Sequence, residues 1–154
     1  MKKGTVLLAD RHMATLDSIR GLLETKFNSI VMVSDEKSLT EVLPKIDPDI
    51  VLLDQSFIFT RAPDFASLVN NFGPDLKIIV LSTYEEPEYM QQCMSSGASG
   101  YILKRSAAKE IIQAIDKVLG GGTYVSLNYI FSNEKDSQAS NGVQRSTDTK
   151  NGGS

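Results

Sequence analysis

Short apolar runs return along the chain at intervals of roughly 20–25 residues, each followed by a stretch whose apolar residues recur every three or four positions. Thr5–Ala9 is the first run, unbroken in its Val-Leu-Leu centre as a strand covered on both faces should be. Met13, Leu16, Ile19, Leu22, Leu23 and Phe27 follow it at helical spacing. The pattern then repeats. Ile30–Val33 precedes the stripe Leu39, Val42, Leu43, Ile46, and Ile50–Leu53 precedes Phe65, Leu68, Val69, Phe72. Lys77–Leu81 precedes a helix containing Tyr89–Met94, and Tyr101–Leu103 precedes Ile111, Ile112, Ile115, Val118 and Leu119. The stops are in the right places as well: Gly73-Pro74, Gly97 and Gly120-Gly121-Gly122 each follow a helical stripe.

Alternation of this kind predicts an α/β fold, a doubly wound five-stranded parallel sheet with right-handed crossovers. Ligands of such sheets lie beyond the carboxyl ends of the strands, near the point where strand order reverses. To that edge the strands deliver Asp10-Arg11, Asp54, Ser82-Thr83 and Lys104. An aspartate after a strand is most often a turn or helix-cap residue. Two carboxylates, a hydroxyl and an ammonium from four separate segments point instead to a nucleophile or a metal ligand held at a rim.

Composition narrows the classes. Of 154 residues 41% are hydrophobic, enough for one core, but between Ser132 and Ser154 only Ala139 and Val143 are apolar. That last stretch cannot offset its ordering entropy, so the folding unit is expected to stop near residue 131. No apolar run is long enough to span a membrane, and the short run near the start does not read as a signal peptide. One cysteine, Cys93, excludes an internal disulfide, and one histidine, His12, excludes a multi-histidine metal centre. The net charge of −3 makes direct nucleic-acid binding by this chain unfavourable, and the expectation is a soluble, cytoplasmic domain. His12 and Cys93 are read as a surface residue and a packing residue. Tyr84, Tyr89, Tyr101 and Tyr124 are read mainly as core, with a homodimer face as the alternative.

Three segments carry a resemblance to a known family: Val6-Leu7-Leu8-Ala9-Asp10-Arg11-His12, Asp49-Ile50-Val51-Leu52-Leu53-Asp54, and Gly97-Ala98-Ser99-Gly100-Tyr101-Ile102-Leu103-Lys104 continuing to Gly121-Gly122-Thr123-Tyr124-Val125-Ser126. The chain resembles the receiver domain of bacterial response regulators, particularly the LuxR/NarL type. The resemblance implies a flavodoxin-like (βα)5 receiver fold over residues 1–126, with 127–154 a polar linker or disordered tail. It implies that Asp54 accepts a phosphoryl group from a sensor histidine kinase, that Lys104 and Ser82 assist, and that Ser82 and Tyr101 form the switch. It also implies Mg²⁺ held by Asp10, Asp54 and the Ser56 backbone carbonyl. An effector DNA-binding domain is expected in a longer chain or a partner.

Two departures bear on that expectation. Arg11 stands where the family has a second metal-binding acid, and Gln55-Ser56-Phe57 leads on without the usual Met-Pro-Gly turn. Three acids and a lysine sum to −2, which a divalent ion neutralises. Asp10, Arg11, Asp54 and Lys104 already sum to zero. Two placements of the Arg11 guanidinium stay open: it reaches into the metal position, onto Asp10 or Asp54, and weakens Mg²⁺ binding, or it turns outward and a weaker metal site survives. Two functions stay open: a phosphorylation switch, or a pseudo-receiver working as a phosphate-independent interaction or dimerisation module. A nucleotide-binding enzyme is disfavoured because no glycine fingerprint follows the first strand.

Overall fold

The computed structural model describes residues 4–12, 17–57 and 75–126. Its elements are β1 (Thr5–Ala9), α1 (Asp17–Glu24), β2 (Ser29–Val33), α2 (Glu36–Ile46), β3 (Ile50–Asp54), β4 (Ile78–Ser82), α3 (Pro87–Ser95), β5 (Gly100–Leu103), α4 (Ala107–Leu119) and β6 (Tyr124–Val125), with single 3-10 turns at Gln55–Phe57 and Lys104–Ser106. The helix expected over Phe65–Phe72, the residues Met13 and Leu16, and the polar tail from 127 onward lie outside the described residues.

All strands are parallel, in the order β2-β1-β3-β4-β5-β6. The five expected strands are present, and a sixth, Tyr124–Val125, adds beside β5 where the sequence reading placed none. Its two residues are too few to show a periodicity. They are recruited by backbone bonds from Tyr124 N to Ser99 O at 3.1 Å and Ser126 N to Tyr101 O at 2.9 Å.

Strand alternation divides the core into two layers. Val6, Leu8, Leu52, Ile79 and Ile102 face Ile19 and Leu23 of α1 and Ile111, Ile115 and Val118 of α4. Leu7, Val51, Val80 and Leu103 face Leu39 and Leu43 of α2 and Cys93 of α3. β3 and β4 are buried along their whole lengths, which explains why their sequences are continuous apolar runs. The helix ends follow local chemistry. Asp35 caps α2 by accepting from Ser38 N at 2.7 Å, and that bond is the main reason its carboxyl is held below the ordinary aspartate value.

Gly4 starts β1 at φ +59°, and a Cβ there would overlap the Asp49 carboxylate, whose Oδ2 accepts from Thr5 N at 2.7 Å. Glu110 is the one buried acid of α4. Its two oxygens accept from Tyr124 Oη at 2.6 Å and Ser126 Oγ at 3.0 Å, fastening the segment after α4 to the helix. Burial and that carboxylate both raise the Tyr124 hydroxyl above its ordinary pKa.

Two measurements check this packing. Glu110→Ala leaves two buried hydroxyls without their acceptor and should cost about 2–4 kcal/mol in urea unfolding. Glu110→Gln, which keeps an acceptor, should cost clearly less, and equal losses would contradict the latch. Burial raises the Cys93 thiol to about 11 despite its contact with Tyr89. Thiolate is thus scarce in the folded state until the pH approaches that value. At pH 8 a thiol reagent should label the native protein far more slowly than the urea-unfolded one; equal rates would contradict it.

Candidate functional site

The chain steps from β1 to β2 on one side and then returns to β3 on the other, so strand order reverses at β1. Asp10 directly follows β1 and Asp54 ends β3. Two carboxylates therefore stand side by side at the point where a doubly wound sheet opens its crevice. Ser82 closes β4, opposite Leu103 of β5 in the ladder, and Lys104 follows Leu103. The strand frame alone brings the four expected groups to one rim.

Their burial sets the energetics. Asp10 is fully buried and Asp54 is 2% exposed, while the Lys104 side chain keeps 24% of its surface. Two carboxylates removed from water need a compensating charge. Lys104 Nζ supplies it, in contact with Asp54 Oδ1 and 3.6 Å from Asp10 Oδ2. Each acid also accepts from its own turn: Asp10 Oδ1 from His12 N at 2.7 Å, Asp54 Oδ2 from Ser56 N at 2.9 Å. These are short-range Asx bonds that aim the carboxylates outward from the strand ends.

Arg11 is exposed, and two of its contacts lie beside the acids rather than on them. Its Nε donates to the Ser56 carbonyl at 3.2 Å, and its guanidinium carbon lies 5.0 Å from the centre of the Phe57 ring. Arginine thus reaches the very carbonyl expected to hold a metal. Asp10, Asp54 and the Ser56 carbonyl are the oxygens that could hold Mg²⁺, which asks for near-octahedral oxygen ligands, and all three already have partners. Two carboxylates are engaged by N–H groups and an ammonium, the carbonyl is engaged by a guanidinium, and the rim side chains sum to zero charge. Among the described residues there is no group of three or more His, Cys, Asp or Glu side chains arranged to hold a metal ion.

The expected switch pair, Ser82 and Tyr101, is linked through the backbone of Tyr84. Ser82 is fully buried, and its Oγ accepts from Tyr84 N at 2.9 Å. Tyr101, also fully buried, donates from Oη to Tyr84 O at 2.6 Å. Tyr89 stands edge-on between the rings of Tyr84 and Tyr101, at 5.0 and 6.2 Å, and burial raises its hydroxyl pKa. Tyr84 itself is 46% exposed. Beside this loop a cleft opens between Ser82, Thr83, Leu103 and Lys104, bordered by the Glu85–Arg105 ion pair.

Sequence reasoning missed one residue of the rim. The side-chain oxygen of Gln55, next to Asp54, accepts from Ser82 Oγ at 2.6 Å, from Thr83 N and from Thr83 Oγ1 at 3.2 Å. The available signal was a polar amide placed directly after five buried strand residues.

Known proteins match this chain in sequence and in fold. The response regulator receiver domain model matches residues 6–116. Over 124 residues the chain is 36% identical to the transcriptional regulatory protein MctR of Rhizobium johnstonii, covering 79% of this chain and 58% of that protein. The RcsB response regulator of Salmonella typhimurium, solved in a study of its DNA interaction, matches with a TM-score of 0.68 at 26% identity, covering 80% of this chain and 63% of that one. The signal receiver domain of the response regulator NarL from Mycobacterium tuberculosis matches with a TM-score of 0.67 at 25% identity, covering 79% and 99%. The chain spans between half and two thirds of the length of the curated relatives it matches. With its flavodoxin-like sheet and the acid–lysine rim at the carboxyl edge, the chain belongs to the response regulator receiver domain family, among relatives of the LuxR/NarL kind.

Proposed function

We propose that this domain is a phosphorylation-controlled switch in which Asp54 takes a phosphoryl group from the phosphohistidine of a sensor histidine kinase. The observation that carries the reading is the pairing of a buried strand-end carboxylate with a lysine that also neighbours Asp10. In the transfer, an Asp54 oxygen forms a bond to phosphorus in line with the departing nitrogen, and the phosphorus–nitrogen bond breaks. Charge then rests on the phosphoryl oxygens. Lys104 Nζ is within reach to neutralise it, and Ser56 N–H holds the other carboxylate oxygen in place.

The output runs through Ser82, Tyr84 and Tyr101, because a group bound at the rim competes for the Ser82 hydroxyl and so acts on the loop that holds Tyr101. The relatives are transcription regulators, and RcsB has been solved bound to a promoter. We therefore propose transcription control through a DNA-binding effector in a longer chain or a partner, with this domain itself not contacting nucleic acid. A homodimer through the tyrosine-bearing side of α3 and β5 and a cytoplasmic location belong to the same reading. No helix among the described residues is long and apolar enough to cross a membrane.

Arg11 favours a second feature, weak use of Mg²⁺. A cation already stands on the Ser56 carbonyl, so a divalent ion would have to displace it against like charge. The pseudo-receiver alternative is the limit of this effect, where no phosphoryl transfer remains.

Incubation with a small acyl phosphate should add one phosphoryl group by intact mass, and Asp54→Asn should abolish the gain. Failure of the wild-type protein to gain mass, with or without Mg²⁺, favours the pseudo-receiver. Arg11→Asp turns a zero-charge rim into one of −2 and should raise Mg²⁺ affinity by tenfold or more, equivalent to about 1.4 kcal/mol. An unchanged affinity, read by titration calorimetry, would make Arg11 a bystander.

A further inference from the structure

We propose that the Gln55 carboxamide oxygen stands in for a phosphoryl oxygen and holds the β4–α3 loop closed before any phosphoryl group arrives; the inference rests on the reading of Asp54 as the acceptor. Gln55 opens the turn that follows Asp54, and its side chain reaches across to the end of β4. Its Oε1 gathers the Ser82 hydroxyl, the Thr83 amide and the Thr83 hydroxyl, three donors from one loop on one neutral acceptor. A neutral amide oxygen seldom collects three donors. A phosphoryl oxygen, with its charge and several lone pairs, is the group such a cluster suits.

The geometry continues past the clamp. Ser82 Oγ, while donating to Gln55, accepts from Tyr84 N, and the Tyr84 carbonyl accepts from the buried Tyr101 hydroxyl. A single polar chain thus runs from the residue beside the acceptor to the ring of Tyr101, and Gln55 Oε1 is its terminal acceptor. With that acceptor in place, Ser82 is turned toward the rim and Tyr101 is fully inside. Phosphorylation would then replace one acceptor by a stronger one, and Gln55 would have to swing away to release the donors. Gln55 is half-buried at the surface of the rim, which leaves it room to do so. Gln55 is in this account a positioning residue: it sets the loop without touching the transferred group.

The test uses amide hydrogen exchange of the whole chain, followed residue by residue by NMR. Gln55→Met keeps length but removes the acceptor. Gln55→Asn keeps the amide but falls one methylene short. In both variants without ligand, Thr83 exchange should quicken roughly fivefold or more, the measure of one lost hydrogen bond, and Tyr101 ring resonances should shift. The β1 and β3 amides should stay protected, which separates a lost clamp from a lost fold. Fluoroberyllate, a phosphoryl analogue supplied with Mg²⁺, should restore Thr83 protection in the variants and change it little in the wild type. Thr83 exchange in the two variants equal to wild type would overturn the clamp. Restoration failing while the wild-type rim does respond to fluoroberyllate would overturn the stand-in role. Asp54 and Lys104 amide resonances that fluoroberyllate at saturating Mg²⁺ leaves unmoved, in both the wild type and Arg11→Asp, would instead count against Asp54 as acceptor, and with it against the proposal.

Discussion

Two carboxylates sit almost without solvent at the ends of neighbouring strands, and one lysine serves both. This is the constraint around which the rim is built. Two charged carboxylates, Asp10 and Asp54, buried at neighbouring strand ends need a cation to offset their lost hydration. Lys104 is able to answer because β5 ends two strands away in the sheet, and its flexible stem spans the distance from Leu103 to the crevice. The sheet order therefore does chemical work: the reversal at β1 puts the two acids together, and the β3-β4-β5 run brings the lysine within reach.

The same frame limits which parts of the rim can move. Asp54 and Ser82 are the last residues of adjacent parallel strands, so neither can move far without disturbing a fully buried ladder. What can move is the backbone just beyond them. The β4–α3 loop carries an exposed Tyr84 and touches the rim through Ser82 and Thr83, and its carbonyl holds the Tyr101 hydroxyl. In the proposed switch, a change in the acceptor for one serine hydroxyl acts on a loop whose residues 83–86 are all exposed. Arg11 acts on the opposite side, tying the strand-one turn to the turn after β3 through the Ser56 carbonyl and the Phe57 ring.

Much of this was legible in the chain. Runs such as Ile50–Leu53 announced doubly covered strands, and knowing that ligands gather at their carboxyl ends was enough to select Asp10, Asp54, Ser82 and Lys104. Four things were not legible, each for a physical reason. Tyr124–Val125 is too short for periodicity, and its place in the sheet depends on the Glu110 latch, a long-range hydrogen bond. Glu110 hid among surface charges, although its spacing from Ala107 and Ala114 puts it on the buried stripe. The contact of Arg11 with a backbone carbonyl was outside both expected placements, because charge counting sees signs and not distances. The backbone carbonyl it meets, like the three donors on Gln55, is a product of turn geometry that residue types alone do not encode.

The account stands on Asp54 as the nucleophile, and the most direct measurement is chemical mapping of the phosphoryl group. Borohydride reduces an acyl phosphate but leaves serine and threonine phosphates intact, so reduction followed by peptide mass mapping reads both the site and its chemistry. The account predicts one reduced residue, Asp54, in the wild-type chain. A reduced residue at Asp10, or a phosphoryl group that survives borohydride on Ser82 or Thr83, would contradict it.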